Sequence, residues 1–241
     1  MKISVVIPMF NEEKSCVSCL DRIGGFLSGL NTDFEIIPVN DGSGDGTGEI
    51  ITGYAKDKKY INPVSYADNR GKGSAVREGV LAADGDVIVV SDCDIAYGTA
   101  IISEKILPLL EEYDIAVGSR VLDKEGYRKY TLKRKAASHG FRFFVHLLTP
   151  LKYTDTQCGI KGYRRDAAKK IFSNCRDNGF AFDVEALMLA DKFGFRVKEF
   201  PAAIEDHNES RSKVGVIRNS VKMLREIFEI KKNVKNTGDN K

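Results

Sequence analysis

The stretch Val87-Ile-Val-Val-Ser-Asp-Cys-Asp94 decides how this chain is read. Its β-branched run has the length and composition of a buried strand, and it ends abruptly in two carboxylates one residue apart. In an open α/β sheet, ligands sit beyond the carboxyl ends of the strands, so Asp92 and Asp94 are expected together at the rim of a cleft. Two hard oxygen donors there can hold Mg²⁺ or Mn²⁺ and, through the ion, a substrate phosphate. A D-x-D alone is a weak signal, because acidic residues cap strands and helices everywhere. Its surroundings therefore decide.

Around it the chain alternates strand and helix patterns at short spacing, which argues for βαβ units and a mostly parallel sheet. Strands are expected at Ile3–Pro8, Phe34–Asn40, Pro63–Ala67, Asp86–Ser91 and Ile115–Ser119. Helical stretches fall between them near Glu12–Leu30, Asp45–Lys58, Lys72–Ala83 and Tyr97–Glu112. After Arg120 the texture changes. Residues 123–135 are rich in Lys, Arg and Tyr, and an apolar run, Phe141–Leu148, precedes a polar loop and the block Asp155–Tyr163. A helix at Asp183–Phe193, a strand near Val197–Pro201 and a long basic amphipathic segment, Ser212–Lys232, complete the pattern.

The 241 residues suit one large domain or two small ones and can bury a sizeable core. A net charge of +3 and a pI near 8.5 are too mild for a dedicated nucleic-acid binder. Five cysteines, an odd count in a chain too long for a disulfide scaffold, favour a reducing, cytoplasmic compartment. Cys16-Val-Ser-Cys19 has no second pair to complete a zinc site and reads as two residues of a helix. No leader of signal-peptide form opens the chain and no run approaches 18 apolar residues, so a chain in solution or lying on a membrane is expected.

Three further motifs sit at strand-to-helix turns. Asn40-Asp-Gly-Ser-Gly-Asp-Gly-Thr47 combines glycines, which let backbone approach a ligand, with a helix start that attracts negative charge. It lacks the spacing of a dinucleotide fingerprint, and Gly71-Lys-Gly-Ser74 lacks that of a Walker phosphate loop. A plain turn with Asp45 as N-cap accounts for Asp45 but not for Asp41 and Ser43. Pro8-Met-Phe-Asn-Glu-Glu13 closes the first strand in the same way, with Glu13 explained by the helix dipole. Asn69–Arg77 places Arg70, Lys72 and Arg77 on a glycine-containing helix start, either a diphosphate contact or a solvated basic turn.

Taken together, the motifs Val5–Glu13, Asn40–Thr47, Asn69–Arg77, Asp92-Cys-Asp94 and Val117-Gly-Ser-Arg120 resemble, in order, those of the family-2 glycosyltransferases of the GT-A fold. The blocks Asp155–Tyr163, Phe182-Asp-Val-Glu185 and Ser212-Lys213 are similar to the branch that glucosylates or mannosylates dolichyl phosphate. Asn40 departs from the family's D-D-G-S turn, and no transmembrane anchor pattern is present. The resemblance implies an α/β fold with a nucleotide-sugar-binding half at 1–120, an acceptor-binding half at 121–233 and a polar tail at 234–241. It implies an inverting, metal-dependent hexosyl transfer from a UDP-glucose or GDP-mannose type donor to a polyprenyl phosphate. Pro8, Phe10, Glu12, Asn40 and Asp41 then serve base and ribose, Lys72 and Arg77 the diphosphate, and Asp92 and Asp94 the Mg²⁺ or Mn²⁺.

Gln157 is expected to face the metal and diphosphate, and Arg120, Arg134, Ser138 and Lys213 to grip the acceptor phosphate, since Arg suits bidentate phosphate contacts. A phosphate acceptor is largely ionised at neutral pH and needs little help from a base, in keeping with His139, His146 and His207 being scattered. A lipid acceptor also implies docking on the membrane surface. Two stripes offer it: Ile217, Val221, Leu224 and Phe228 beside Arg218, Lys222 and Arg225, and Phe141, Phe144, Val145 and Leu148. The alternatives are the same fold acting on a soluble glycan, and a nucleotide-sugar-binding protein without catalysis.

Overall fold

A computed structural model describes residues 1–128, 130–205 and 216–238, without the side chains of residues 133, 134, 137 and 216–224. The first half runs β1 (Lys2–Met9), α1 (Cys16–Ser28), β2 (Asp33–Asp41), α2 (Thr47–Ala55), β3 (Val64–Tyr66), α3 (Lys72–Ala82) and β4 (Val87–Ser91). A π-helical turn, Ile102–Ile106, leads into α4 (Leu107–Glu112), β5 (Ile115–Ser119), α5 (Lys124–Arg128) and α6 (Leu132–Leu148). The remainder is β6 (Ile160–Arg164), α7 (Arg165–Phe172), α8 (Phe182–Phe193), β7 (Val197–Pro201) and α9 (Val216–Asn236).

The strands form one sheet in the order β3-β2-β1-β4-β6-β5-β7, parallel throughout except for β6. Helices cover both faces, which is why β4 is buried at every position and runs apolar through Val90 rather than alternating. Ile88 and Val90 pack with α3, α7 and α8 on one face, while Val87 and Val89 pack with α1 and α4 on the other. Each such buried side chain contributes about 1.5–3 kcal/mol. Pairing of β1 with β2 in register, Val6 to Ile37 and Met9 to Asn40, brings the strand ends, and the loops after them, to one edge.

The expected strands of the first half are present, and the differences lie in its last helix and in the second half. β6 was hidden inside the polar block 155–163. It is an antiparallel strand wedged between β4 and β5, and α7 follows it directly. The apolar run Phe141–Leu148 is the end of a longer helix whose Val145 is buried and whose Phe141 and Leu148 pack on the core. The helix expected across Tyr97–Glu112 is broken by the π-helical turn, because Pro108 has no N–H to offer the carbonyl of Glu104. α9 runs on to Asn236 with Val234 buried, and Lys192 of α8 donates to the carbonyl oxygens of Val234 (2.7 Å) and Lys235 (2.8 Å). The polar tail therefore begins later than residue 234.

Candidate active site

The loops after β1, β2, β4 and β5 share the carboxyl edge of the sheet, and the start of α3 faces them. Asp92 is the meeting point. Its Oδ1 lies 2.6 Å from Lys72 Nζ. Its Oδ2 rests against Gly159, where an added Cβ would stand only 2.1 Å away, so the loop leading into β6 can back this carboxylate only without a side chain. Asp94 accepts a hydrogen bond from the Ala96 N–H at 3.2 Å. Burial first, then the charge of Asp92 and more weakly that of Glu12, push the Asp94 pKa upward. The next residue, buried Ile95, is held at φ +45°. A β-branched residue in that region costs on the order of 1–3 kcal/mol, strain that the surrounding packing must sustain beside the carboxylates.

Burial by itself would lower the Lys72 pKa. The carboxylates of Asp92, Asp183 and Asp94 outweigh it and raise the value, so the ammonium stays charged. No cluster of three His, Cys, Asp or Glu side chains able to hold a metal occurs among the described residues. Two carboxylates with open positions nevertheless suit a hard divalent ion, which keeps waters and completes its shell from substrate phosphates. The lysine already standing on Asp92 marks the spot as cation-seeking, and the repulsion that lifts Asp94 is what a divalent charge would relieve. The donor set fits.

Behind β2, Asn40 and Asp41 are both buried, and both are engaged in building the turn. Asn40 donates to Ser65 Oγ at 3.0 Å and accepts from the Ser43 N–H at 3.1 Å. Asp41 accepts from Tyr66 (2.8 Å), the Asn69 amide (3.0 Å) and the N–H groups of Arg70 (2.8 Å) and Gly71 (3.0 Å). Asp41 thus ties β2 to the loop that presents Lys72. The N-cap of α2 is Gly46, one residue after the expected Asp45, which precedes the cap and accepts from the Thr47 N–H at 3.0 Å. Glu12 donates its N–H to Thr47 Oγ1 at 2.8 Å, and its carboxylate accepts from Ser15. Pro8 lies one residue before the end of β1, and Phe10 is exposed.

Arg120, just after β5, is held in an ion pair. Its Nε and Nη2 grip Asp155 at 2.7 and 2.9 Å in a bidentate pair, and its N–H adds a third bond to Oδ2 at 3.1 Å. Glu199 of β7 fixes that partner by accepting from the N–H groups of Thr154 (2.8 Å) and Asp155 (3.1 Å). Gln157, two residues on, has a buried Nε2 with no hydrogen-bond partner among the described residues. Arg77 braces the loop before α8 through Asn178 Oδ1 (2.9 Å). Ser138 is half-buried on α6, while the Arg134 side chain, Lys213 and His207 lie outside what is described. His139 pairs with Arg142 and His146 with the Tyr153 carbonyl oxygen.

One pair escaped the sequence reading. Asp183, in the first turn of α8, and Lys161, on β6, are both buried and 2.7 Å apart. The signal was available, since a carboxylate opening an apolar helix such as Phe182–Ala190 demands a partner.

A family model described as glycosyl transferase family 2 matches residues 4–172. The dolichyl-phosphate beta-glucosyltransferase of Drosophila melanogaster is 33% identical over 95% of this chain and 74% of its own length. The enzyme of that name from Dictyostelium discoideum is 32% identical over 95% of this chain and 73% of its own. Among solved structures, glucosyl-3-phosphoglycerate synthase from Mycobacterium tuberculosis, crystallised with Mn²⁺, UDP and phosphoglyceric acid, shares the fold. It superposes with a TM-score of 0.70 at 21% identity, covering 99% of this chain and 80% of that one.

Proposed function

This chain belongs to glycosyl transferase family 2, and from that premise we propose that it moves glucose from UDP-glucose to dolichyl phosphate or a related polyprenyl phosphate, with inversion, at a membrane surface. The observation that carries the reading is the Asp92/Asp94 pair at the end of β4 with Lys72 upon it, in a chain whose relatives are named for that reaction.

Asp92 and Asp94 would hold the divalent ion, Mg²⁺ or Mn²⁺. When bound, that ion supplies Lewis-acid stabilisation of charge on the departing nucleoside diphosphate. Lys72 adds a cation on the same side, where negative charge develops. Pro8, Phe10 and Glu12 line the base end of the donor, and Asn40 and Asp41 keep that wall in shape. The Gln157 amide, whose Nε2 has no partner among the described residues, supplies a hydrogen bond to the bound diphosphate. A dianionic acceptor phosphate attacks the anomeric carbon without a protein base, since its second pKa is near 6. Arg120, Arg134, Ser138 and Lys213 steer that phosphate, Arg120 through the guanidinium edge that Asp155 leaves open.

Docking on the cytoplasmic face of a membrane fits the exposed apolar side chains of α6 and α9, which pack on one another. No helix among the described residues is long and apolar enough to cross a membrane. The test is transfer of labelled glucose from UDP-glucose to dolichyl phosphate, with GDP-mannose and dephosphorylated dolichol as controls. Product that needs a divalent ion, UDP-glucose and the acceptor phosphate supports the reading. Equal transfer to the dephosphorylated prenol, or transfer only to a soluble phosphate or glycan, overturns it.

A further inference from the structure

Charges alternate through the floor of the site. Asp92 Oδ1 meets Lys72 Nζ at 2.6 Å, and Asp183 Oδ1 meets Lys161 Nζ at 2.7 Å. The two pairs are set side by side by backbone packing. A Cβ on Gly73 would stand 2.8 Å from the Phe182 Cβ and 2.5 Å from the Asp177 carbonyl oxygen, so α3 and α8 begin in direct contact. The Gly73 N–H donates to the carbonyl oxygens of Asn178 and Gly179 at 3.0 and 3.1 Å, locking that contact. Lys161 is held in turn by the Cys158 carbonyl oxygen at 2.6 Å, within the loop that also backs Asp92. The Asp183–Lys161 pair is neutral as a unit and buried. The Lys72 side chain is a quarter exposed and sits on a long, rotatable stem.

We propose that Lys72 is the resident cation of the Asp92 site, that it yields this carboxylate to a divalent ion when donor binds, and that the buried Asp183–Lys161 pair holds the released ammonium in the cleft facing the diphosphate. This rests on the donor-site reading above. Charge balance requires the exchange. A divalent ion cancels Asp92 and Asp94, Asp183 and Lys161 cancel one another, and the Lys72 charge is left over for the diphosphate. Without donor, the same lysine covers Asp92, so metal and ammonium compete for one oxygen. Asp183 acts as a positioning residue: its far oxygen and its local negative charge keep the ammonium from swinging out to water.

Binding separates the roles. Mn²⁺ affinity of the full chain without nucleotide is read from the free-ion signal in electron paramagnetic resonance. Lys72→Met should tighten Mn²⁺ binding by roughly tenfold, the scale on which a neighbouring charge shifts a carboxylate's cation affinity. The same variant should weaken UDP binding, measured calorimetrically at saturating Mn²⁺, and Lys72→Arg should restore part of it. Unchanged or weaker Mn²⁺ binding by Lys72→Met would show that the lysine supports the metal site instead of occupying it, and would overturn the proposal. For the pair, the double variant Asp183→Asn with Lys161→Met keeps the site neutral and folded. It should bind Mn²⁺ as the parent does yet bind UDP more weakly; parental UDP affinity would make the pair purely structural. Failure of the parent itself to bind UDP would instead sink the donor reading, while the nucleotide-free Mn²⁺ arm still stands on its own.

Discussion

At the scale of single residues, Asp94 pits folding against function. Burial and the neighbouring Asp92 raise its pKa, so the folded chain holds that proton more tightly than the unfolded one. Stability therefore falls as pH rises from the ordinary carboxylate range through the titration of Asp94, and the ionised group is a net burden at neutral pH. Asp94→Asn should abolish transfer while leaving the melting temperature equal or higher at pH 7, and should remove the Mn²⁺-induced rise in melting temperature. A variant that is active, or that unfolds at lower temperature, would contradict this. Asp155 has the opposite sign: burial opposes ionisation, but Arg120 overcomes it and lowers the pKa. Its stabilisation is full above the ordinary carboxylate range and is lost as pH falls through the lowered value. Arg120→Ala strands that carboxylate, so a loss of about 3–5 kcal/mol in denaturant unfolding is expected, beyond any effect on acceptor. Asp92, Asp94 and Lys72 were legible because a strand end and a helix start are local patterns. Asp183 was legible as a buried carboxylate in need of a partner, but that the partner is Lys161 was not, since the two are 22 residues apart and meet only in the folded chain.

Among the elements, what was legible divides at Arg120. Before it, β1 and β4 are apolar runs and α1 has a three-to-four-residue period, so local sequence states most of the outcome, the break before α4 apart. β6 has neither signature. Ile160-Lys-Gly-Tyr-Arg164 carries a lysine and a glycine at its centre, and it is a strand because β4 and β5 both need a partner there. Its buried lysine is tolerated only because Asp183 and the Cys158 carbonyl oxygen satisfy it. The strand in turn carries Gly159 to the back of Asp92. Gly159→Ala would place a methyl against Oδ2 and push the carboxylate from its seat. Loss of Mn²⁺ and UDP binding is expected, with a stability change of about 1–3 kcal/mol, the cost of overpacking. Parental UDP affinity in that variant would show that the loop does not position Asp92.

For the molecule as a whole, the sheet sets a site on one edge, and α6 and α9 set an apolar surface beside a second half whose strands belong to the same sheet. Of the stripe expected from Phe141, Phe144, Val145 and Leu148, three members face the core and Phe144 stays outside at 42% exposure, beside Leu132, Phe143 and Leu147 at 83%, 62% and 65%. On α9, Ile227, Ile230 and Val234 take the core, while Phe228 is 58% exposed and flanked at helical spacing by exposed Arg225, Lys231 and Lys232. Ile217, Val221 and Leu224 fall among the residues whose side chains are not described. Exposed rings of this size ringed by cations are what an interfacial helix offers to anionic lipid, and they contribute nothing to the core. Phe143→Ser with Leu147→Ser and Phe228→Ser should therefore change unfolding free energy by no more than about 0.5 kcal/mol per site, as surface substitutions do. The same triple variant should lose most of its flotation with vesicles containing anionic lipid. In the parent, that flotation should weaken as salt rises toward 1 M, where the screening length falls to about 3 Å. Transfer to a short-chain acceptor phosphate in water should survive the substitutions, since the site on the sheet edge is untouched. Vesicle binding by the triple variant at the parental level, or a large loss of stability, would show instead that these side chains meet protein and not membrane.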